Sequence, residues 1–400
     1  MLLLFSFIFA VCSAQQLIDL KTFRGGNVQN PINAQGPYSV YVSAYSDSSA
    51  TLKSIFLNLD DGTSISLNDL KNNKLYVNSG LLQPYPVNGK AYVTTILSDN
   101  QMNSLKGLMY ISTAKQLTDT SFYVIDVTSS SQTVDYRGIG AASATVLFLN
   151  TDFATNPYQS SVISGWIQST DATAFLYREF PTDAAETQNT QFFSNPVHTS
   201  SFDYYFSTVE KFSLSMRAFY LKTYKGVKFN LQAGYYDING GTTSAKTTTG
   251  FYMKPVNGAE RTVTINTLRD STTSNTLGTN VIGSLPTGAK VEVGVLGGRV
   301  DDSTSFPPTY SIFPWSTPYV GTTFHVSSTG GTTGEFYCQY YLIQGAPVAG
   351  STAAPTPHSN NPTLPPGNPT SRPVQTTTKS SQSVQLFLSS IVALIGSRFL

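Results

Sequence analysis

The sequence predicts an all-β protein, built as two tandem antiparallel β-sandwiches followed by a disordered Ser/Thr/Pro stalk. Alternation is the first reason. Val227, Phe229, Leu231 and Ala233 alternate with Lys228, Asn230 and Gln232, and Val291, Val293 and Val295 repeat the pattern, which is the two-residue period of a half-buried strand. Spacing is the second. Apolar runs at Phe122 to Thr128, Ala144 to Asn150, Ser161 to Gln168, Ala174 to Tyr177 and Thr322 to Ser327 are separated by Gly, Asn and Asp, the rhythm of short strands in sandwiches. Composition is the third. The chain carries 23 Tyr and 24 Phe but only 12% charged residues, about half the usual charged share, a mixture suited to sheets with one buried and one wet face.

Read from the start, Met1 to Ala14 is a short apolar leader ending in the small residues Ser13 and Ala14, and is expected to be a signal peptide cut before Gln15, although it lacks a basic start. Residues 15–190 are expected to form the first sandwich. Ser39 to Tyr45 reads as a strand, Asp61-Gly62 as a turn, and Pro86-Val87-Asn88-Gly89 as a hairpin turn opening the strand KAYVTTILSDN. Short helices are expected near Asp99 and Asp183, where an Asp precedes helix-tolerant residues.

Residues 191–346 are expected to form the second sandwich, as a duplicate of the first. Pro255-Val256-Asn257-Gly258 repeats the earlier turn 169 residues on, followed by AERTVTINTLRDS. Ser213 to Phe219 matches Ser39 to Tyr45 at an offset of 174, and Asn239-Gly240 matches Asp61-Gly62 at 178. Drifting offsets of this kind are what loop insertions between repeats produce.

Cys12 leaves with the leader, so Cys338, in the strand-like run Glu335 to Leu342, has no internal partner and is expected to be a buried, inert thiol. No Asn stands in a usable acceptor triplet, since Asn361-Pro362-Thr363 and Asn368-Pro369-Thr370 both have proline in the middle. Residues 347–383 hold eight prolines among many Ser and Thr, the composition of an extended, O-glycosylated stalk that builds no core. The tail 384–400, VQLFLSSIVALIGSRFL, is shorter than the roughly 20 apolar residues of a spanning helix and is expected to be a removable GPI signal. Ser380 is the expected attachment residue, with Ser381 as the alternative.

This layout, with the strand Gly36-Pro37-Tyr38-Ser39-Val40-Tyr41-Val42-Ser43-Ala44, resembles the nematode CUB-like family of secreted and GPI-anchored proteins, although the chain lacks the paired cysteines of ordinary CUB domains. The resemblance implies proteins of epithelial surfaces and membrane rafts, tied to innate defence against microbes. It supplies no catalytic residues.

The charges balance to a formal +1, so no field selects nucleic acid. His198, His325 and His358 are the three histidines; none pairs with another at metal-ligand spacing, no GxSxG elbow occurs, and neither a metal nor a cofactor is expected. His325 is read as structural. Asp60-Asp61 and Asp301-Asp302 lie beside turn signals and are read as solvated turns, too few oxygens for calcium.

The expected contact surface is the uncharged, proline-stiffened segment 303–320, in which Phe306, Tyr310, Phe313, Trp315 and Tyr319 are the candidate ligand-binding residues, Trp315 foremost. The competing reading of the same segment is a lid folded back on the core. Tyr204-Tyr205 and Tyr235-Tyr236 are weaker candidates, because alternation turns one ring of each pair inward. The predicted function is a non-catalytic binding module at the extracellular face of the plasma membrane, or secreted. Its partners are the lipid membrane, through the anchor, and a microbial glycan or protein. The alternatives are a self-associating coat protein and an extracellular hydrolase, which would need a clustered Asp/Glu pair in a cleft.

Overall fold

In the computed structural model the described residues are 16–347, apart from 46–47, 73–75, 78–80, 83–84, 139–141, 152–159, 183–189, 200, 240, 244–246, 268–272, 297–301, 307–312, 319–322 and 331–332. The all-β expectation holds. Six of the eight sheets among the described residues face each other in three pairs around apolar cores, and two are short ribbons, Tyr76–Val77 with Leu81–Leu82 and Val197–His198 with Asp203–Tyr204. The expected leader, stalk and tail, and with them Ser380 and Ser381, lie outside the described residues, as does the helix expected near Asp183.

The first sandwich sets Gln16–Asp19, Gly107–Ile111, Tyr38–Ala44 and Tyr85–Val87 against Asn30–Pro31, Ala91–Thr95, Ile55–Leu59 and Ser64–Ser66. Between the sheets lies a core that includes Val40, Val42, Leu57, Val93 and Met109. Tyr38–Ala44 is buried at every position, because its second face is covered as well. Tyr41, Leu108 and Tyr110 pack there against Phe122, Val124, Leu147 and Tyr220 of the second sandwich. Tyr41 meets Phe122 edge-on at 6.3 Å, one of the favoured arrangements of paired rings. The helix expected near Asp99 is present as Asp99–Asn103. Ser98 accepts from the Gln101 backbone and Gln101 returns the bond to Ser98, so two of the otherwise unpaired groups at the helix start are satisfied.

The second sandwich places Phe122–Val127, Ser143–Asn150, Ala218–Tyr224, Thr173–Arg178 and Gln191–Asn195 in one sheet, and Gln132–Asp135, Val227–Ala233, Ser161–Gln168 and Phe212–Leu214 in the other. Phe122–Val127 runs parallel to its neighbour. Aromatic rings fill the space between the sheets, with Trp166 stacked on Phe229 at 5.3 Å and Phe148 on Phe219 at 4.9 Å. Lys225 and Gly226, both at positive φ, turn the chain from Ala218–Tyr224 in one sheet to Val227–Ala233 in the other. The carbonyl of Tyr136 lies where a Cβ on Gly226 would stand, so only glycine fits there.

The third sandwich sets Thr248–Lys254, Glu335–Pro347, Thr273–Ser284 and Phe313–Pro318 against Gly241–Thr243, Thr262–Thr267, Thr323–Thr329, Lys290–Leu296 and Asp302–Phe306. Its core includes Val263, Val293, Phe324, Val326 and Cys338. Gly250 and Gly278 stand opposite Tyr340 and Tyr341, and each ring covers its glycine where a Cβ would be. Phe251 and Tyr337 join Phe192, Phe193 and Phe212 of the second sandwich in one aromatic cluster. Gln339 seals this junction. Its side-chain amide donates to the Ser194 carbonyl at 2.7 Å and accepts from the Ser194 N–H at 3.0 Å, pairing the open edge of Gln191–Asn195 as a further strand would.

The described strands gather around three cores, one sandwich more than the sequence predicts. The boundary at 190 falls inside the second sandwich, because Thr173–Arg178 pairs with both Gln191–Asn195 and Ala218–Tyr224. The junction near 240 falls in the Gly/Ser/Thr-rich run 239–250, NGGTTSAKTTTG, while the one near 119 carries no comparable signal. Of the expected repeat, the two Pro-Val-Asn-Gly turns do occupy like places. Each leads from an edge strand of one sheet into the facing sheet, in the first and third sandwiches. Ser39 to Tyr45 and Ser213 to Phe219 do not correspond, since the first is one strand and the second straddles Phe212–Leu214 and Ala218–Tyr224, which lie in different sheets.

Candidate functional site

The segment expected to present aromatic rings is largely strand rather than loop. Asp302–Phe306 pairs with Lys290–Leu296, with Phe306 opposite Val291. Phe313–Pro318 pairs with Thr273–Ser284, setting Trp315 opposite Thr279 and Phe313 opposite Val281. Tyr310 and Tyr319 lie outside the described residues. The segment thus passes from one sheet of the third sandwich to the other, and the ladders fix the backbone of Phe306, Phe313 and Trp315. The weaker tyrosine candidates behave as alternation requires for one pair. Tyr235 is exposed while Tyr236 packs against the third core, with the Lys211 ammonium 4.7 Å from its ring centre.

The histidines are not brought together. His198 is exposed and shares a 2.9 Å hydrogen bond with Asp203. His325 is buried, with Nε2 3.5 Å from Glu292, and His358 lies outside the described residues. Asp60 and Asp61 sit in a turn, as expected. Asp60 accepts from the Lys90 backbone at 3.2 Å. Asp61 accepts from the Thr63 N–H at 2.8 Å, and the Thr63 hydroxyl together with that N–H holds the Asp61 carboxyl below its ordinary range. Asp301 is outside the described residues. Among the described residues no group of His, Cys, Asp and Glu could hold a metal ion.

What the structure does assemble is a cleft of about 530 Å³ to which all three sandwiches contribute. Its floor and walls come from Leu17 of the first, Arg178 to Phe180 and Ser215 to Ala218 of the second, and Glu335 and Tyr337 of the third. The second sandwich aims its contribution by irregular backbone. The pairing of Thr173–Arg178 with Gln191–Asn195 slips between Leu176 and Tyr177, and such a bulge turns the following side chains to a new direction. Glu179 then adopts φ 65°, a left-handed conformation uncommon outside glycine. It directs the chain so that Phe180 packs on Tyr110, their ring centres 6.0 Å apart.

Charges line the cleft in pairs. Arg178 Nη1 lies 3.2 Å from Glu335 Oε1 and 3.7 Å from Glu179 Oε1, and Arg217 Nη1 lies 3.4 Å from Asp19 Oδ2. Behind Glu335, Lys254 is buried and donates to the Gly334 carbonyl at 2.7 Å. Loss of water pulls the Lys254 pKa down against the opposing pull of Glu260 and Glu335. The result is a fixed set of N–H donors and carboxylate acceptors beside the apolar surfaces of Leu17, Phe180, Met216 and Val256. Sequence reasoning missed this site. One signal was available: in a chain with 12% charged residues, Arg178-Glu179-Phe180-Pro181 sets two adjacent charges and an aromatic ring immediately after an alternating strand.

Comparison with known proteins adds one family. The profile of a family described as transmembrane glycoprotein matches residues 35–395, and it differs from the CUB-like family that Gly36 to Ala44 resembles. No curated protein matches the chain. Several solved structures are distant likenesses. An insecticidal delta-endotoxin of Bacillus thuringiensis aligns at 11% identity over 30% of this chain and 27% of its own, TM-score 0.19. A cycloalternan-forming enzyme of Listeria monocytogenes aligns at 11% over 66% and 27%, TM-score 0.19. A triple jelly roll protein of an archaeal virus turret aligns at 12% over 83% and 90%, TM-score 0.18. This chain therefore spans about a quarter of the length of the first two, and TM-scores this low decide nothing about it.

Proposed function

The chain belongs to the transmembrane glycoprotein family, and from that premise we propose that it is a non-catalytic recognition protein on the outer face of a membrane; from the tail itself we infer that a lipid, added when the tail is removed, holds it there. The family match over residues 35–395 carries the reading, since a transmembrane glycoprotein family supports a place at a membrane surface. The lipid anchor is supported by the tail's length, by Arg398 within it, and by the Ser/Thr/Pro segment before it. No helix among the described residues is long and apolar enough to cross a membrane. A binding role is supported by the cleft, where the guanidinium of Arg178 holds the carboxylates of both Glu179 and Glu335. A microbial glycan or protein is the proposed class of partner.

Treatment of intact cells with a phosphatidylinositol-specific phospholipase C, followed by mass analysis of the released C-terminal peptide, tests the display. Release of protein lacking residues 384–400, with lipid remnant on Ser380 or Ser381, is the expected outcome. Protein that stays bound with Leu400 intact overturns the lipid anchor in favour of a spanning tail. Protein found only in the medium overturns membrane display altogether.

A further inference from the structure

We propose that the cleft at the meeting of the three sandwiches binds a neutral saccharide, with Arg178, Glu179 and Arg217 meeting its hydroxyls and Phe180 and Met216 meeting its C–H face. The proposal deepens the reading of a surface recognition protein and rests on it.

Size comes first. At about 530 Å³ the cleft falls within the roughly 300–1,000 Å³ of sites that enclose small molecules. Charge then selects the ligand class. The lining holds two guanidinium groups, Arg178 and Arg217, and two carboxylates, Glu179 and Glu335, so an ion of either sign meets a like charge beside every opposite one. A hydroxyl group donates and accepts at once. Neighbouring hydroxyls on a sugar ring can therefore take a guanidinium N–H and a carboxylate oxygen side by side, leaving neither without a partner.

Preorganisation favours binding at this place. Arg178 is held by Glu335 at 3.2 Å and Phe180 by Tyr110 at 6.0 Å, so these side chains have little freedom left to lose when a ligand arrives. Glu179 is 68% exposed yet sits at φ 65°. Strained backbone of this kind gathers where a side chain must be aimed. Val256, 46% exposed, and Met216 add apolar surface to the lining beside the charged groups. Sugar rings present the same combination in reverse, polar at the rim and C–H on the face.

The test uses the full ectodomain, as released from cells, with maltose, cellobiose, lactose and N,N′-diacetylchitobiose as probes, read by saturation-transfer NMR and calorimetry. At least one of the four is expected to bind with Kd on the order of 1 mM or tighter. Glu179→Gln, which keeps the side-chain shape, and Arg217→Ala are each expected to weaken that binding tenfold or more with the thermal midpoint unchanged. Ile96→Ser, at an exposed position of the first sandwich, is expected to leave it unaltered. Absence of saturable binding to all four overturns the proposal, as does binding that both cleft variants retain. Binding confined to sialyllactose, run in parallel, overturns the neutral-ligand assignment. A lipid-released protein that binds none of the disaccharides removes the cleft as a saccharide site and leaves surface display standing, so the two readings fail separately.

Discussion

Cys338 occupies the centre of the third sandwich with no accessible surface, its Sγ 2.9 Å from Thr279 Oγ1. Burial pushes its thiol pKa up to about 12, against a smaller opposing pull from the Thr279 hydroxyl. The thiolate is the reactive form, so the native protein at pH 8 is expected to take up no iodoacetamide over an hour, and one equivalent once unfolded in guanidinium chloride. Stoichiometric labelling of the folded protein, read by mass spectrometry, would refute this. The buried cysteine was legible because a lone cysteine amid alternating aromatics fits a core position. The arrangement of Arg178, Glu179 and Arg217 was not legible, since it depends on a bulge and a left-handed residue whose causes lie in neighbouring strands rather than in the local sequence.

Individual strands follow closely from their residues. Val227–Ala233 shows the predicted alternation of buried and outward positions, and Asp99–Asn103 starts where its capping residues dictate. Runs buried on both faces, such as Tyr38–Ala44, reveal a strand without revealing what covers its second face. The edge of Gln191–Asn195 is a sharper case, because its closing partner is a side chain 145 residues away. Gln339→Leu removes that partner and strands the buried N–H and C=O of Ser194, at about 1–3 kcal/mol for each unpaired group. Calorimetry is expected to show a midpoint lowered by several degrees, with the third sandwich unfolding as a separate earlier transition. A single transition at the original temperature would show that the aromatic cluster of Phe192, Phe193 and Phe251 holds the junction without it.

At the level of the whole molecule, strand order separates pieces that fold from pieces that do not. A fragment of residues 15–190 contains the first sandwich entire. It lacks Ala218–Tyr224, which lies between Ser143–Asn150 and Thr173–Arg178, and Val227–Ala233, which lies between Gln132–Asp135 and Ser161–Gln168. Limited proteolysis is expected to trim that fragment back to about residue 118, whereas residues 15–238 resist as one body. Survival of the shorter fragment up to residue 190 would contradict this account of the second sandwich. The number of sandwiches was the least legible property of the chain, because strands adjacent in a sheet come from distant parts of the sequence and the Gly/Ser/Thr-rich run 239–250 reads like any turn within a sandwich.

The order of strands also sets a timetable for biogenesis. The centre of the third sandwich is its last strand, Glu335–Pro347, which pairs with Thr248–Lys254 on one side and Thr273–Ser284 on the other. At synthesis rates of roughly 5–20 residues per second, Thr248–Lys254 waits about 4–16 s for that partner to emerge. During this interval two strands rich in Thr, the first also carrying Phe251 and Tyr252, present open edges to whatever surrounds the nascent chain. Ala218–Tyr224 and Val227–Ala233, joined by the Lys225-Gly226 turn, arrive as a single clasp and close both sheets of the second sandwich together. A chain stopped short of residue 335 therefore delivers two finished sandwiches and a set of unmatched strands, a species for the cell's quality control to retain rather than a shorter working protein.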